Sequence, residues 1–552
     1  MLLIVFFGFR YIGKELNHLL EIIKINYICI NKDLNDIVSL PEDFPKCYSN
    51  PSLRKAFYFA NIAKNNQRHL LIVGKEGSGI TQISKWFASY FTPKEKRNEN
   101  FLFIFSPETT ISDMIGKYFP KSDAVGSSSG IFEWRDGPLN LAVKNGYAGV
   151  FDNISFAQAK VIESLNALLD PKDNEEDNYF EIPQNISEPK IKINEDFLFI
   201  ATSSLEEMEK LSSAFLNRFT VINLEDQLEN ANEEDEKEAI KFLIESEISD
   251  EKTSIYNKEK IIQEIHRIYK ERHLNMSLLS RFTKIIVRLY NLIEKKGDVE
   301  EIVNYMKEII LTCNNTFDIP KFVQDKASEI FDKYDQFSTD ERFYYQNSPN
   351  LRNLMTNLYV CSECRIPVFL VGPTGLGKTS MAKAFSEIVR REYAILYSFH
   401  METQLGDLYG VFNFESGKAT IKDGPLVKAM EKGQVFIADE FNLADEIVLQ
   451  TISIALEPAD EKSVFLVPDT GKKIIRKKSF FFIACQNDLS TSGRKKLPDI
   501  IQKRLRTFEY PSPMIEDLRN SIEEMIKFEK IEEAKYKIYP DFPTKIAKFM
   551  FN

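Results

Sequence analysis

Residues Gly372, Pro373, Thr374, Gly375, Leu376, Gly377, Lys378 and Thr379 run consecutively and match G-x-x-x-x-G-K-[ST]. Residues of these types at this spacing bind phosphate. The glycines let backbone N–H groups close around phosphate oxygens, and the start of a following helix adds partial positive charge. Lys378 can hold a β/γ-phosphate pair and the Thr379 hydroxyl can ligate Mg²⁺, with Ser380 closing the binding stretch. Downstream, the apolar stretch after Gln434 ends in Asp439-Glu440. A strand tip of this kind can aim one carboxylate at the metal and the next at a water, which assigns Asp439 to Mg²⁺ and Glu440 to polarising the attacking water. A third apolar run, Phe480 to Cys485, leads to Asn487, whose amide would lie beside the γ-phosphate and orient the water.

These groups converge only if a sheet places them. Val368 to Val371 reads as a strand before the glycine loop and Ser380 to Arg391 as a helix after it. Further runs at Ala394–Tyr397, Val435–Ala438 and Phe480–Cys485 are too short for helices and too apolar for half-exposed strands, so a parallel sheet buried on both faces is expected. The same pattern occurs earlier, at His69–Val73, Phe101–Phe105, Ala148–Phe151 and Phe197–Ala201. Other landmarks recur in order: Pro51-Ser52-Leu53-Arg54 returns as Pro349-Asn350-Leu351-Arg352, Gly74 as Gly372, Asp113 and Gly116 as Asp407 and Gly410, and Asp136-Gly137-Pro138-Leu139 as Asp423-Gly424-Pro425-Leu426. Asp152 and Arg218 return as Asp439 and Arg504. A duplicated α/β unit explains this.

The first copy has lost its chemistry. Gly74 to Thr81 keeps glycines and the threonine, but Ile80 stands where the second copy has Lys378. Asn153 replaces the base Glu440, and Ser204 stands in place of Asn487. No hydrolysis is expected there, and no tight nucleotide binding.

Composition bounds the rest. The 552 residues suggest three to four folding units at about 150 residues each. With 43% hydrophobic and 12% aromatic residues the chain is not disordered, and no apolar run approaches the ~20 residues of a spanning helix. The opening run Met1–Phe9 lacks a preceding charge and a cleavage site, and reads as a buried strand. A net charge of −11 argues against a direct nucleic-acid surface, and six cysteines point to a reducing, intracellular compartment, nuclear or cytoplasmic. Cys361-x-x-Cys364 has no second pair and reads as packing. Residues 224–335 show few strand signals, with helical spacing in Glu259–Arg272, Met276–Glu294 and Val299–Leu311, and the acidic run Glu229–Glu238 reads as a solvated linker; Lys472-Lys473 with Arg476-Lys477-Lys478 suggest a basic hairpin.

The Gly372–Thr379 loop, the Asp439-Glu440 strand tip, the Asn487-tipped strand and a following basic element together resemble an AAA+ ATPase. Asp423-Gly-Pro-Leu before the second motif, and Asp439-Glu-Phe-Asn442-Leu-Ala444 within it, resemble the dynein-related, MoxR-like branch. Pro468-Asp-Thr-Gly471, Phe482 to Asn487 and Gly493-Arg-Lys-Lys-Leu497 resemble the midasins, the giant ribosome-assembly ATPases of that branch. Dynein heavy chains and a giant ubiquitin ligase with an AAA+ core share parts of the pattern. The resemblance implies two P-loop AAA+ doubly wound parallel-sheet modules, each followed by a helical lid subdomain. The expected divisions are an N-terminal segment 1–50, large subdomain 51–223, lid 224–335, large subdomain 336–511, and an incomplete lid 512–552. It implies ATP and Mg²⁺ as ligands and a protein or ribonucleoprotein complex as client, with no membrane partner. The alternative is a scaffold in which ATP only organises module contacts.

The same resemblance makes Arg504 the arginine finger, with Arg506 as a rival, and makes Arg218 the finger of the first module, acting in trans. It leaves the lid arginine unassigned: Ser277-Leu-Leu279 holds leucine where relatives carry arginine, with Arg281 nearby. If each site is completed by the module that follows it, Arg504 faces the degenerate pocket. The intact pocket then needs a further module, from a longer chain or from ring-forming copies.

Overall fold

The computed structural model describes residues 51–75, 77–93, 95, 102–105, 109–120, 132–170, 178–224, 233–247, 258–293, 298–311, 318–335, 349–415, 418–456, 464–467, 472–487, 497–502, 504–511 and 519. The expectations for 1–50, Pro468–Gly471, Gly493–Lys496, 512–518 and 520–552 lie outside them. The described residues divide into two compact units, drawn respectively from Met1–Asp250, Ile265–Thr283 and Phe414–Ala419, and from Glu251–Glu264, Lys284–Asn413 and Thr420–Asn552.

The first unit is built on a parallel sheet. Its strands are β1 (His69–Gly74), β2 (Leu102–Ile104), β5 (Ala148–Asp152), β8 (Leu198–Ser204) and β9 (Phe219–Leu224), in the order β2-β5-β8-β1-β9. Two hairpins are inserted, β3 (Gly116–Pro120) with β4 (Phe132–Asp136), and β6 (Tyr179–Glu181) with β7 (Lys190–Lys192). Alternate residues of each central strand join different clusters. Leu71, Val73, Phe151, Phe199 and Ala201 pack with the helix Pro138–Asn145 and the turns that follow β5. Leu70, Ile72, Val150, Leu198 and Ile200 pack with helices Pro51–Asn65 and Ile80–Phe91. Both faces are covered, which is why these strands read as unbroken apolar runs. Phe151 and Phe199 stack across β5 and β8 with ring centroids 3.9 Å apart.

The second unit repeats the plan. Strands β10 (Val368–Gly372), β11 (Ile395–Ser398), β14 (Val435–Asp439), β17 (Phe481–Asn487) and β18 (Arg506–Glu509) pair in the order β11-β14-β17-β10-β18. Its hairpins are β12 (Gly410–Glu415) with β13 (Lys418–Asp423), and β15 (Val464–Leu466) with β16 (Lys473–Ile475). The latter is the basic hairpin expected from sequence.

The fifth strand of each sheet, β9 and β18, was not visible as an apolar run. β9, at the sheet edge beside β1, alternates buried and exposed residues; the edge strand β11, read from its apolar run as buried on both faces, likewise alternates half-buried and exposed residues, with Leu396 in the open. A half-exposed strand carries the period of two and not the solid run.

In sequence between the two sheets lie helices Glu233–Glu247, Lys258–Arg272, Met276–Leu292, Val299–Leu311 and Lys321–Asp335; the acidic run expected to be a solvated linker is helical from Glu233, because Glu236 is buried against Lys270 and His266. In the first unit, buried Glu236 accepts from Lys270 Nζ at 2.6 Å and lies 2.7 Å from the His266 ring. In the second, Tyr305 donates to Asn357 Oδ1 at 2.8 Å, joining Val299–Leu311 to the helix Pro349–Glu363.

Several repeated residues prove to be architectural. Asp113 and Asp407 are helix caps, each accepting a backbone N–H at 2.9 Å, from Thr110 and Gln404. In the repeated Asp-Gly-Pro-Leu, the glycine lets two backbones meet: a methyl on Gly137 would lie 2.2 Å from Met114 O, and one on Gly424 2.2 Å from Leu408 O. Asp423 accepts from Lys472 at 2.8 Å. Asp136 accepts from Lys144, Trp134 and Asn140. Burial pushes the Asp136 carboxyl up, but these donors outweigh it and hold its pKa below the ordinary value.

Gly424 has φ −74°, which alanine adopts freely, so any cost of Gly424→Ala arises from the Leu408 carbonyl. The substitution is expected to lower stability by roughly 1–3 kcal/mol. An unchanged thermal unfolding midpoint would contradict this packing.

Candidate nucleotide site

At the carboxyl edge of the second sheet, β10 ends at Gly372 and the chain turns through Pro373–Gly377 into the helix Lys378–Phe385. Gly375 and Gly377 take φ of 83° and 93°, a left-handed conformation that disfavours other residues and turns the loop back on itself. Among the described residues, nothing lies within 4 Å of a methyl placed on Gly375. Lys378 is buried, its ammonium donating to Gly372 O at 2.8 Å and Pro373 O at 2.6 Å.

Thr379, on the helix's first turn, donates its hydroxyl to Asp439 Oδ1 at 3.0 Å. Asp439 is the last residue of β14, and Glu440 follows in a left-handed conformation with φ 51°. That bend redirects the Glu440 side chain, while its N–H donates to Asp439 Oδ1 at 3.2 Å. Asn487 closes β17 in register with Gly372, so its backbone stands at the same edge; its side chain lies outside the described residues. Cys485, two residues earlier, is buried, and burial first, then the nearby Asp439 charge, pushes its thiol up to about 12.

The residues Gly372–Ser380, Asp439 and Glu440 are thus gathered at one edge, with the end of the Asn487 strand beside them. A threonine hydroxyl and a carboxylate are hard oxygen donors of the kind Mg²⁺ takes. With the glycine cradle and the buried lysine, they fit a magnesium-bound nucleoside phosphate.

The first sheet keeps part of this. Thr81 donates to Asp152 at 2.9 and 3.2 Å, and Thr202 adds a second hydroxyl at 2.5 Å. Asn153 has the same left-handed bend as Glu440, φ 59°, and donates its N–H to Thr202 Oγ1. Ile80 heads the loop helix and brings no charge, and Lys75 is an exposed residue. Ser204 ends β8 in register with Gly74, where its hydroxyl accepts from Glu207 N at 3.2 Å and caps a turn.

The three arginines sit differently. Arg218 pairs with Asp170 at 2.7 Å and donates to Ala214 O. Arg504 is half-buried and donates to Ser453 O at 2.5 Å. Arg506 is buried within β18, its guanidinium 4.8 Å from the Phe508 ring centroid. Cys361 and Cys364 are both buried, and burial drives the Cys364 thiol far above its usual range.

Tyr510 was missed from sequence. It follows β18, the strand that carried no apolar run, and its ring spans the loop. A methyl on Gly372 would meet its Cβ at 3.1 Å, and one on Gly377 its hydroxyl at 3.6 Å.

The sequence profile of the AAA domain (dynein-related subfamily) matches this chain twice, over residues 69–219 and 367–505. The chain belongs to the dynein-related AAA family. Both matches fall on the two sheets and their connections, and the family is one of P-loop ATPases. Among curated relatives of this family, a midasin from Giardia intestinalis is 24% identical over 81% of this chain and 10% of its own length. A midasin from Dictyostelium discoideum is 22% identical over 84% of this chain and 9% of its own length. Protein NorQ of Paracoccus denitrificans is 28% identical over 27% of this chain and 54% of its own. The chain spans about a tenth of the length of the two midasins it matches. Among the described residues, no helix is long and apolar enough to cross a membrane.

Burial and raised pKa together leave Cys485 almost no thiolate at pH 8. Alkylation mapped by mass spectrometry is expected to spare it in the folded protein and to reach it after denaturation. A folded-state rate within about tenfold of a free cysteine would contradict its placement.

Proposed function

We propose that the second module binds ATP with Mg²⁺ and hydrolyses it, and that the first module is structural. The observation that carries this reading is the Thr379–Asp439 hydrogen bond at the head of a glycine loop, with Glu440 on the next residue. In this reading residues 372–380 hold the phosphates. Lys378 exchanges the Gly372 and Pro373 carbonyls for the β/γ-phosphates, at little cost because its charge is already desolvated there. Thr379 and Asp439 hold Mg²⁺, which supplies charge neutralisation. Glu440 takes a proton from the attacking water and Asn487 orients it.

The divisions 51–223, 224–335, 336–511 and 512–552 are proposed as large subdomain, lid, large subdomain and partial lid. Arg504 is the better finger of its pair, since Arg506 is buried in its own sheet and a finger must reach another module. Arg218 serves a neighbouring module in the same way. Hydrolysis would be coupled to remodelling a protein or ribonucleoprotein complex, ribosome assembly being the example the midasin likeness suggests, with further AAA+ modules as partners. A location in nucleus or cytoplasm belongs to the same proposal.

Fluorescent-ATP titration is expected to lose its signal in Lys378→Ala and keep it in Ile80→Ala. Equal binding by wild type and Lys378→Ala would end this reading. Glu440→Gln is expected to keep binding while turnover falls by roughly 10²–10⁴. Unchanged turnover at high protein concentration would favour an ATP-organised scaffold.

A further inference from the structure

The first phosphate loop is touched by the head of a lid helix. Helix Lys258–Arg272 ends in a tight corner, where His273 takes a left-handed φ of 48° and Leu274 N–H donates back to Tyr269 O at 3.3 Å. That corner, a Schellman-type closure, sets Asn275 one residue before the helix Met276–Leu292. Asn275 caps this helix, its Oδ1 accepting from Leu278 N–H at 2.9 Å. The same side chain lies against the loop. A methyl placed on Gly77 would fall 2.2 Å from Asn275 Nδ2, 2.5 Å from Cγ and 2.8 Å from Oδ1. Gly77 has φ 84° and corresponds to Gly375 of the intact loop. Leu279, where the family resemblance leads one to expect a lid arginine, is fully buried and offers the loop no charge.

We propose that Asn275 is a built-in latch, a neutral amide seated on Gly77 that closes the first module on its own phosphate loop with protein where a phosphate would lie. The proposal rests on the reading of this module as nucleotide-free. The latch makes that state self-sufficient: the contact that a nucleotide would mediate between loop and lid is made by one side chain. Two features of the sequence then act together, since Ile80 removes the charge that attracts phosphate and Asn275 takes its space.

Hydrogen exchange on the full chain tests this. Serine caps a helix about as well as asparagine but is too short to cover Gly77. In Asn275→Ser the amides of residues 77–81 are expected to exchange about tenfold faster, while those of 279–283 keep their protection. Asn275→Asp, which retains shape and cap, is expected to keep the loop protected. An unchanged loop in Asn275→Ser overturns the latch, as does equal acceleration in Asn275→Asp. Fluorescent-ATP binding to Lys378→Ala separates the two readings: nucleotide held by the first module would overturn its nucleotide-free state, whereas the exchange pattern reports on the latch alone.

Discussion

Each sheet brings a threonine hydroxyl and an aspartate carboxylate together across the gap between a loop helix and a strand tip, Thr81 with Asp152 and Thr379 with Asp439. The pairing depends on parallel strands. Because β1, β5 and β8, and likewise β10, β14 and β17, all run the same way, their last residues end at one edge. A carboxylate there is drawn to the helix start, where unpaired N–H groups carry partial positive charge. The register therefore does more than hold the sheet. Shifting β14 by one residue would turn Asp439 to the other face and leave Thr379 without its acceptor.

This interaction is present in the first module although Ile80 and Asn153 stand where the second module has Lys378 and Glu440. Asp152 there is satisfied by two hydroxyls, from Thr81 and Thr202, while the second module has Cys485 at the position of Thr202. Asp152 is buried and hydrogen-bonded, as buried polar groups generally are. Asp439 accepts from one hydroxyl and from the Glu440 N–H, with a weakly polar thiol where the first module has its second hydroxyl. The two modules thus share one backbone geometry around a buried Asp152 in one and a half-buried Asp439 in the other.

Much of this was legible in the sequence because the signals were local. Solid apolar runs marked the sheet strands, the central ones buried on both faces and the edge strand β11 half-exposed, and the glycine loop and the Asp-Glu tip lay at the ends of those runs. The duplication showed because the same pinch points, Gly137 and Gly424, admit no side chain. What stayed hidden depended on partners distant in the chain. β9 and β18 lack the solid run because each has one exposed side, so Tyr510, just beyond β18, had no element to belong to. Arg504 and Arg506 are two residues apart in sequence and differ only in which the sheet buries. Asn275 looks like an ordinary helix cap until Gly77, almost two hundred residues earlier in the chain, is placed beside it.

The glycine crossings have a mechanical side. Hairpin β3–β4 leaves and re-enters the first module at Gly116 and Gly137, where a methyl on Gly116 would lie 2.3 Å from Arg135 O. Backbone meets backbone there, with no side chain between to yield. The chain runs from this crossing through the helix Pro138–Asn145 into β5 and Asp152. The second module has the same crossing at Gly410 and Gly424, leading through Pro425–Lys432 to Asp439. In each module, then, one pair of glycines fixes where the hairpin departs and where the helix leading to the sheet-edge carboxylate begins.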